Sequence, residues 1–176
     1  MNLPNKLTIA RVLMIPLCLI FVMARWNVPA AIFFVIACLT DFLDGYIARK
    51  QGIVTNFGKF ADPVADKVLV LTMMTVLLAR GDYFWWAACV VAARELAVDG
   101  LRLVAVDQGI VIPAGKLGKL KTNAQFASIL ASLLGAAYGL ALGLAILMAL
   151  LTLVSGIQYF YGGKDLFRQH HAEQAG

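Results

Sequence analysis

Charged residues are scarce in this 176-residue chain, at 14% of the sequence, and acidic residues are the scarcer kind. Ten aspartates and glutamates stand against 15 lysines and arginines, whereas 61% of the residues are hydrophobic. A soluble domain of this length needs a polar surface to stay in solution, and this composition does not supply one. The mean hydropathy of +0.82 therefore indicates an integral membrane protein.

Cysteine and histidine are rare as well. The three cysteines, Cys18, Cys38 and Cys89, each lie in an apolar run with no CxxC spacing and no neighbouring histidine. We therefore expect small buried side chains there, not disulfides or metal ligands. The first apolar run begins near Leu7 and lacks a small-residue cleavage site, so we expect no cleavable signal peptide.

Long apolar runs, in contrast, are plentiful. A membrane-spanning helix needs roughly 20 mostly apolar residues, and the last run, 122–161, is about twice that length, so we divide it in two. The predicted fold is all-α, a single membrane domain over 1–176 with six transmembrane helices, at about 7–25, 28–48, 60–79, 83–104, 122–138 and 143–161.

The turn between the last two helices is predicted near Tyr138–Gly143. The glycines of this region, Gly135, Gly139 and Gly143, form a GxxxGxxxG row. Such a row is typical of close helix packing, including packing between subunits, but glycine also permits a hairpin.

Basic residues fall mainly on one side of this predicted topology. An even number of spans puts both termini on one side, and that side holds every lysine and arginine except Arg25 and Arg80. The positive-inside rule makes it cytoplasmic. Arg94, Glu95 and Asp41 nevertheless lie well inside predicted spans, where an ionised group needs a partner or a wet cavity. We therefore expect the six helices to surround one polar cavity that faces the cytoplasm.

Four aspartates are concentrated in the stretch TDFLDGYIARKQGIVTNFGKFADPVADK, which starts at position 40. Asp41 and Asp44 share a helix face at i, i+3, and Asp62 and Asp66 share one at i, i+4. A short loop joins the two helices, so the four carboxylates are expected to converge. All-oxygen ligation favours magnesium, manganese or calcium, and four acids suffice for two ions that act in phosphoryl transfer. A structural network of these aspartates with Arg49, Lys59 and Lys67 is the alternative.

The same stretch resembles a known signature in full. Asp41-x2-Asp44-Gly45-x2-Ala48-Arg49-x8-Gly58-x3-Asp62-x3-Asp66 is similar to the motif of the CDP-alcohol phosphatidyltransferases, six-span membrane enzymes that are generally homodimers. The resemblance implies attack of an alcohol on the β-phosphorus of a CDP-linked lipid, with release of CMP. It also implies two Mg or Mn ions per subunit, held by Asp41, Asp44, Asp62 and Asp66, with Asp66 as general base. Gly45, Ala48, Arg49 and Gly58 would then bind the CDP-lipid.

Basic residues outside this motif bear on the acceptor alcohol. Arg94 and Arg102 are spaced i, i+8 and can face one cavity, and Lys116, Lys119 and Lys121 follow in GKLGKLK. A phosphate on the acceptor would need such cations, whereas a neutral alcohol would not. The lysines alternatively serve topology or bind anionic lipid headgroups.

The flanking segments narrow the resemblance to one branch. MNLPNKLTIARVLMIP, ARELAVDGLR and GKLGKLKTNAQ resemble the phosphatidylglycerophosphate synthase branch, which implies glycerol 3-phosphate as acceptor. It also implies that Asn5 and Thr8 lie with the CDP-lipid, and that Arg11 joins Arg94, Arg102, Lys119 and Lys121 around the acceptor phosphate.

Several alternatives remain at this point. Inositol phosphate or phosphatidylglycerol could be the acceptor, or the aspartates could form the transit site of a divalent-cation transporter. The predicted partners are CDP-diacylglycerol, glycerol 3-phosphate, membrane lipid and a second copy of the chain, with no nucleic acid among them. The predicted location is a bacterial inner membrane, with both termini cytoplasmic.

Overall fold

The computed structural model describes residues 3–51, 56–107 and 115–162, with the side chains at 3–8, 41–51, 56–63, 107 and 116 outside the description. These residues form six α-helices and no strand, so the predicted all-α class and the number of helices are confirmed. The helices are α1 (Leu3–Met23), α2 (Asn27–Gln51), α3 (Asn56–Ala79), α4 (Trp85–Asp107), α5 (Lys116–Leu133) and α6 (Tyr138–Gly162).

Helices α1, α3 and α5 end in the same kind of turn. Each has one residue with positive φ just past the helix: Arg25 at 59°, Gly81 at 79° and Gly135 at 68°. The following amide donates to the carbonyl five residues back, as from Ala136 N to Ala131 O at 2.9 Å. This pattern is a Schellman motif, which satisfies the last helical carbonyls and reverses the chain within a few residues.

The turn between α5 and α6 comes earlier than predicted. It spans 134–137, and α6 already begins at Tyr138, so the expectation of a turn at Tyr138–Gly143 is wrong. The reason is Gly135, which adopts the left-handed conformation that the Schellman motif requires. Gly139 and Gly143 lie inside α6, and a Cβ added at either would meet no atom within 4 Å. Among the residues that the structure describes, no close helix contact requires a glycine at these two positions.

The chain divides into two compact units, the first comprising Met1–Tyr83 and Ile129–Ala137. In this unit α1 packs against α2 and α3, and α2 also contacts α3. Its apolar core comes from all three helices and includes Cys18, Val22, Phe34, Leu69, Met73 and Leu77. Apolar residues at helical spacing thus bring α2 and α3, the two helices that carry the four aspartates, into one packed unit.

Arg80 joins the end of α3 to the turn between α1 and α2. Its Nη1 donates to the carbonyl oxygen of Val22 at 2.7 Å and to Oδ1 of Asn27 at 2.9 Å. Its Nε and Nη2 both lie 2.7 Å from Oδ2 of Asp82. One guanidinium therefore satisfies a backbone carbonyl, an amide oxygen and a carboxylate from two parts of the chain.

The second unit comprises Phe84–Ser128 and Tyr138–Gly176, and in it α4 packs against α6. Val98, Leu101 and Ala105 on α4 form a buried cluster with Tyr159 on α6. Cys18 is buried, Cys38 on α2 is half-buried and Cys89 on α4 is exposed, so the expectation of three buried cysteines holds for Cys18 and is wrong for Cys89. All three cysteines are free thiols.

Of the described helices, α6 alone is long and apolar enough to cross a membrane by length and composition. Shorter apolar segments lie at Ile9–Met23 in α1 and Asn27–Thr40 in α2. Large apolar side chains are nevertheless exposed along several helices, for example Leu13 (63%), Ile20 (60%) and Leu150 (56%). Such a surface suits lipid better than water. The six-span topology and the shared polar cavity stay predictions.

Candidate functional site

The four aspartates of the signature lie on two helices that touch within the first unit. Asp41 and Asp44 belong to the C-terminal half of α2, and Asp62 and Asp66 belong to the N-terminal half of α3. The side chain of Asp66 is half-buried, whereas those of the other three lie outside the described residues. Among the described side chains, no three acidic, histidine or cysteine groups form a metal-binding cluster. The convergence of the four carboxylates therefore stays a prediction.

The residues predicted to bind the CDP-lipid belong to α1, α2 and α3, the helices that pack together in the first unit. Their positions are Asn5 and Thr8 on α1, Gly45, Ala48 and Arg49 on α2, and Gly58 on α3, all with side chains outside the described residues. Arg11, which was expected at the acceptor phosphate, is fully buried on α1 in this unit. The other residues predicted to bind the acceptor phosphate belong to the second unit.

A buried ion pair connects α5 to α4 in the second unit. The ammonium of Lys121 donates to Oε1 of Glu95, and the two residues are only 5% and 6% exposed. Nη1 of Arg94 lies 3.4 Å from the same carboxylate oxygen. Because burial of an unpaired charge is expensive, the contact of Glu95 with both cations favours their burial here. Lys121 is therefore bound to Glu95, whereas Lys119 is exposed on α5.

Arg94 also reaches α6. Its Nη2 donates to Oγ of Ser155 at 2.8 Å, and Ser155 is fully buried. Gly156 makes room for this arginine, because a Cβ at that position would lie 3.3 Å from Cγ of Arg94. The side chain of Arg94 is thus fixed at both ends of its guanidinium, by Glu95 and by Ser155.

Tyr159 brings the two arginines of α4 to one aromatic ring. Cζ of Arg94 lies 5.3 Å from the ring centroid and Cζ of Arg102 lies 5.1 Å from it. Both distances are within the range of cation–π attraction. The hydroxyl oxygen accepts a hydrogen bond from Nη2 of Arg102 at 2.7 Å and a longer one from the amide of Gly115 at 3.3 Å. Arg94 and Arg102 therefore lie on one face of α4, whereas the cavity that they are expected to share stays a prediction.

The residues of the second unit that form this cluster are Arg94, Glu95, Arg102, Lys121, Ser155 and Tyr159, hereafter the basic cluster. It holds three cations and one carboxylate, so it carries a net charge of about +2 when all four groups are ionised. Among the described residues, the hydroxyl of Tyr159 is the single hydrogen-bond partner of the Arg102 guanidinium. Such a cluster attracts an anion.

Sequence reasoning missed Ser155 and Tyr159, the α6 members of the basic cluster. Together with Thr152 they are polar residues spaced i, i+3, i+7 on a mostly apolar helix, and all three are buried. A polar stripe on one face of a spanning helix is a signal of a polar interior, and it is visible in the sequence. The sequence analysis placed Glu95 well inside a predicted span but did not assign it to the site.

A shallow groove of about 530 Å³ lies between α4 and α6 beside the basic cluster. Its lining is apolar and includes Ala93, Ala97, Gly156 and Tyr161, with Arg94 as its one charged residue. Arg94 therefore contacts both the basic cluster and an apolar surface.

Comparison with known proteins identifies the family. The sequence model of the CDP-alcohol phosphatidyltransferases matches residues 1–156, a range that includes all four aspartates and both arginines of α4. The chain is 40% identical to the CDP-diacylglycerol–glycerol-3-phosphate 3-phosphatidyltransferase of Bacillus subtilis, over 90% of this chain and 93% of that protein. It is 40% identical to the enzyme of the same name from Rickettsia typhi, over 73% of this chain and 74% of that protein. This chain belongs to the CDP-alcohol phosphatidyltransferase family.

Proposed function

We propose that this protein transfers the phosphatidyl group of CDP-diacylglycerol to glycerol 3-phosphate, giving phosphatidylglycerophosphate and CMP. The complete aspartate signature, the match to the family over residues 1–156 and the names of the relatives all support this reaction. In chemical terms it is a phosphoryl transfer. The hydroxyl oxygen of the acceptor forms a bond to the β-phosphorus, the bond from that phosphorus to the CMP oxygen breaks, and the acceptor proton passes to a base.

The basic cluster is the observation that carries the choice of acceptor. Glycerol 3-phosphate brings a phosphate dianion, and the cluster offers a net charge of about +2 with planar guanidinium donors. A neutral alcohol would bring no negative charge to Arg102, which has no carboxylate partner among the described residues. We assign direct phosphate contacts to Arg94 and Arg102. Lys121 stabilises Glu95 next to these arginines. Lys119 and Arg11 are the other residues that we propose for the acceptor phosphate.

The aspartate set fits a divalent metal. Two carboxylates on α2 and two on α3, helices that contact each other, would provide all-oxygen ligation, and the motif itself contains no cysteine or histidine. Asp41, Asp44, Asp62 and Asp66 would hold magnesium or manganese, and we propose two ions per subunit. Bound there, the ions would neutralise the diphosphate and stabilise the CMP leaving group.

The remaining residues of the signature have proposed roles around the donor. Asp66 takes the proton of the attacking hydroxyl, and its half-buried position on α3 is compatible with both metal binding and proton transfer. Gly45, Ala48, Arg49 and Gly58 bind the CDP part of the lipid, and Asn5 and Thr8 lie with them. All seven assignments rest on the resemblance of the motif and of the N-terminal segment.

The proposed setting is a bacterial inner membrane. The exposed apolar side chains and the spanning length of α6 support membrane insertion, and the distribution of lysine and arginine supports cytoplasmic termini. Six spans, a cavity open to the cytoplasm and a homodimer belong to the proposal. Single cysteines at Lys50 and Lys164, introduced after removal of Cys18, Cys38 and Cys89, test the topology. Both should react with a membrane-impermeant maleimide only from the cytoplasmic side, and reaction from opposite sides would contradict six spans.

The experiment that tests the reaction is CMP release from CDP-diacylglycerol by the purified full chain in detergent with magnesium or manganese. Glycerol 3-phosphate, inositol phosphate, free inositol and phosphatidylglycerol are offered separately, with Asp66→Asn as the control. We expect release with glycerol 3-phosphate only, and loss of release in the control. Release with a different acceptor would keep the transferase chemistry and contradict the acceptor assignment. No release with any acceptor would contradict the proposed function.

A further inference from the structure

Tyr159 has an environment that packing alone does not explain. It is 6% exposed near the end of α6, and it lies beyond the residues matched by the family model. A buried tyrosine needs one hydrogen-bond partner to be satisfied. This one accepts hydrogen bonds from Arg102 and from Gly115 and has two guanidinium groups against its ring.

The direction of these hydrogen bonds is informative. An arginine N–H and a backbone N–H can only donate, so the tyrosine oxygen accepts from both, and its two lone pairs are then used. The phenol proton is left without an acceptor among the described residues. Around the hydroxyl of Tyr159 the described residues therefore offer more hydrogen-bond donors than acceptors, and none of them places an anionic oxygen there.

The charges lead to the same conclusion. Arg94 and Lys121 share the carboxylate of Glu95, whereas Arg102 has no carboxylate partner among the described residues. Two guanidinium groups near one ring repel each other, and the ring face and the hydroxyl offset only part of that repulsion. A structural ion network would pair Arg102 with a carboxylate of its own. Since none of the described residues does so, an anion from outside the chain would supply that charge.

We infer that Tyr159 is a positioning residue for the phosphate of the acceptor. Its hydroxyl holds Arg102, its ring holds Arg94 and Arg102 close together, and the hydrogen bond from Gly115 ties this arrangement to the residue that precedes α5. The inference rests on the proposed function in one respect, namely that the anion is the acceptor phosphate. Tyr159 thereby sets the discrimination between a phosphorylated and a neutral alcohol.

Two substitutions separate the parts of this role. Tyr159→Phe keeps the ring and removes the hydroxyl, and Tyr159→Leu removes the ring as well. Tyr161→Phe is the matched control, because Tyr161 is on the same helix, two residues away, and is 70% exposed. The thermal unfolding midpoint of each purified variant establishes that it is folded. If Tyr159→Leu does not fold, the inference is tested with Tyr159→Phe alone, because that change is smaller.

Steady-state CMP release gives the first measurement. For Tyr159→Phe we expect KM for glycerol 3-phosphate to rise about tenfold, as for the loss of one hydrogen bond to a charged group, with kcat and KM for CDP-diacylglycerol within about twofold of wild type. Tyr159→Leu should raise the same KM further, and Tyr161→Phe should leave it unchanged. An unchanged KM for glycerol 3-phosphate in Tyr159→Phe would overturn the inference. Equal effects on both substrates with a lowered unfolding midpoint would also overturn it, because they would show a purely structural role.

Equilibrium binding of glycerol 3-phosphate without donor lipid gives the second measurement and separates the two proposals. Weaker binding to Tyr159→Phe by a similar factor supports the inference even if wild type shows no turnover, in which case only the proposed function fails. Turnover by wild type with equal binding by wild type and Tyr159→Phe overturns the inference and leaves the proposed function standing. Absence of glycerol 3-phosphate binding to wild type contradicts both.

Discussion

Lys121 on α5 and Glu95 on α4 form a buried ion pair, and Arg94 lies beside the same carboxylate. Three charges thus meet where fewer than one-tenth of the Lys121 and Glu95 side chains is exposed. Replacement of the carboxylate would remove the counter-ion that Arg94 and Lys121 share, and the loss of one partner from a buried ion pair is among the most destabilising changes available to a protein. The stability of the basic cluster therefore depends on this ion pair.

For Glu95→Gln we expect the free energy of unfolding to fall by about 3–5 kcal/mol, because the amide keeps the volume and removes the charge. The double variant Glu95→Gln/Lys121→Met should recover part of this loss. Thermal unfolding in detergent gives the comparison, with Lys119→Met as the control because Lys119 is exposed on the same helix. An equal loss in the single and double variants would argue against a coupled pair.

Arg102 should not be replaceable by lysine. Lysine keeps the charge but offers a compact ammonium in place of the planar fork that contacts the hydroxyl of Tyr159. For Arg102→Lys we predict that KM for glycerol 3-phosphate rises about tenfold, equivalent to about 1.4 kcal/mol, while KM for CDP-diacylglycerol is unchanged. Arg25→Lys serves as the control, since Arg25 is exposed in the turn after α1. A wild-type KM in Arg102→Lys would show that charge alone suffices.

Arg80 should matter for stability and not for the acceptor. Arg80→Met removes hydrogen bonds to Val22, Asn27 and Asp82 and leaves a carbonyl at the α1–α2 turn without this donor. Loss of a multiply bonded charged group predicts a decrease of about 2–3 kcal/mol in the free energy of unfolding. Both KM values should stay at wild-type levels below the unfolding temperature. A raised KM for glycerol 3-phosphate with unchanged stability would contradict this division.

Arg25 adopts a conformation that favours glycine. Its φ of 59° places it in the left-handed region at the Schellman turn that ends α1, where Gly81 and Gly135 occupy the equivalent positions after α3 and α5. We expect Arg25→Gly to increase the free energy of unfolding by about 0.5–1 kcal/mol, as relief of steric cost exceeds the added flexibility of glycine. Arg25→Ala, which keeps a Cβ, should give no such gain, so equal unfolding midpoints for Gly and Ala would contradict the explanation.

The helices themselves were largely predictable from the sequence, because each corresponds to a long apolar run. The error at the last turn shows the limit. Three glycines follow one another at four-residue spacing, and only the backbone conformation distinguishes Gly135, which ends α5, from Gly139 and Gly143, which lie inside α6. Helical spacing carries no information about which of several glycines adopts a positive φ.

The basic cluster was predictable in part for a similar reason. Arg94 and Arg102 lie on one helix, so their spacing alone placed them on one face. Their partners Ser155 and Tyr159 are 61 and 57 residues away along the chain and belong to α6. Contacts of that kind depend on how α4 and α6 pack, which a single sequence does not specify. The pairing of Lys121 with Glu95 could not be predicted for the same reason, since the two residues belong to different helices.

Transfer of radiolabel from glycerol 3-phosphate into organic-soluble lipid tests the central claim most directly. The purified full chain would be incubated with CDP-diacylglycerol and magnesium, and labelled lipid and CMP would be counted in the same reaction. The account predicts about one labelled lipid for each CMP, with both products lost in Asp66→Asn and after removal of divalent metal by a chelator. Release of CMP without labelled lipid, or labelled lipid that persists in Asp66→Asn, would contradict it.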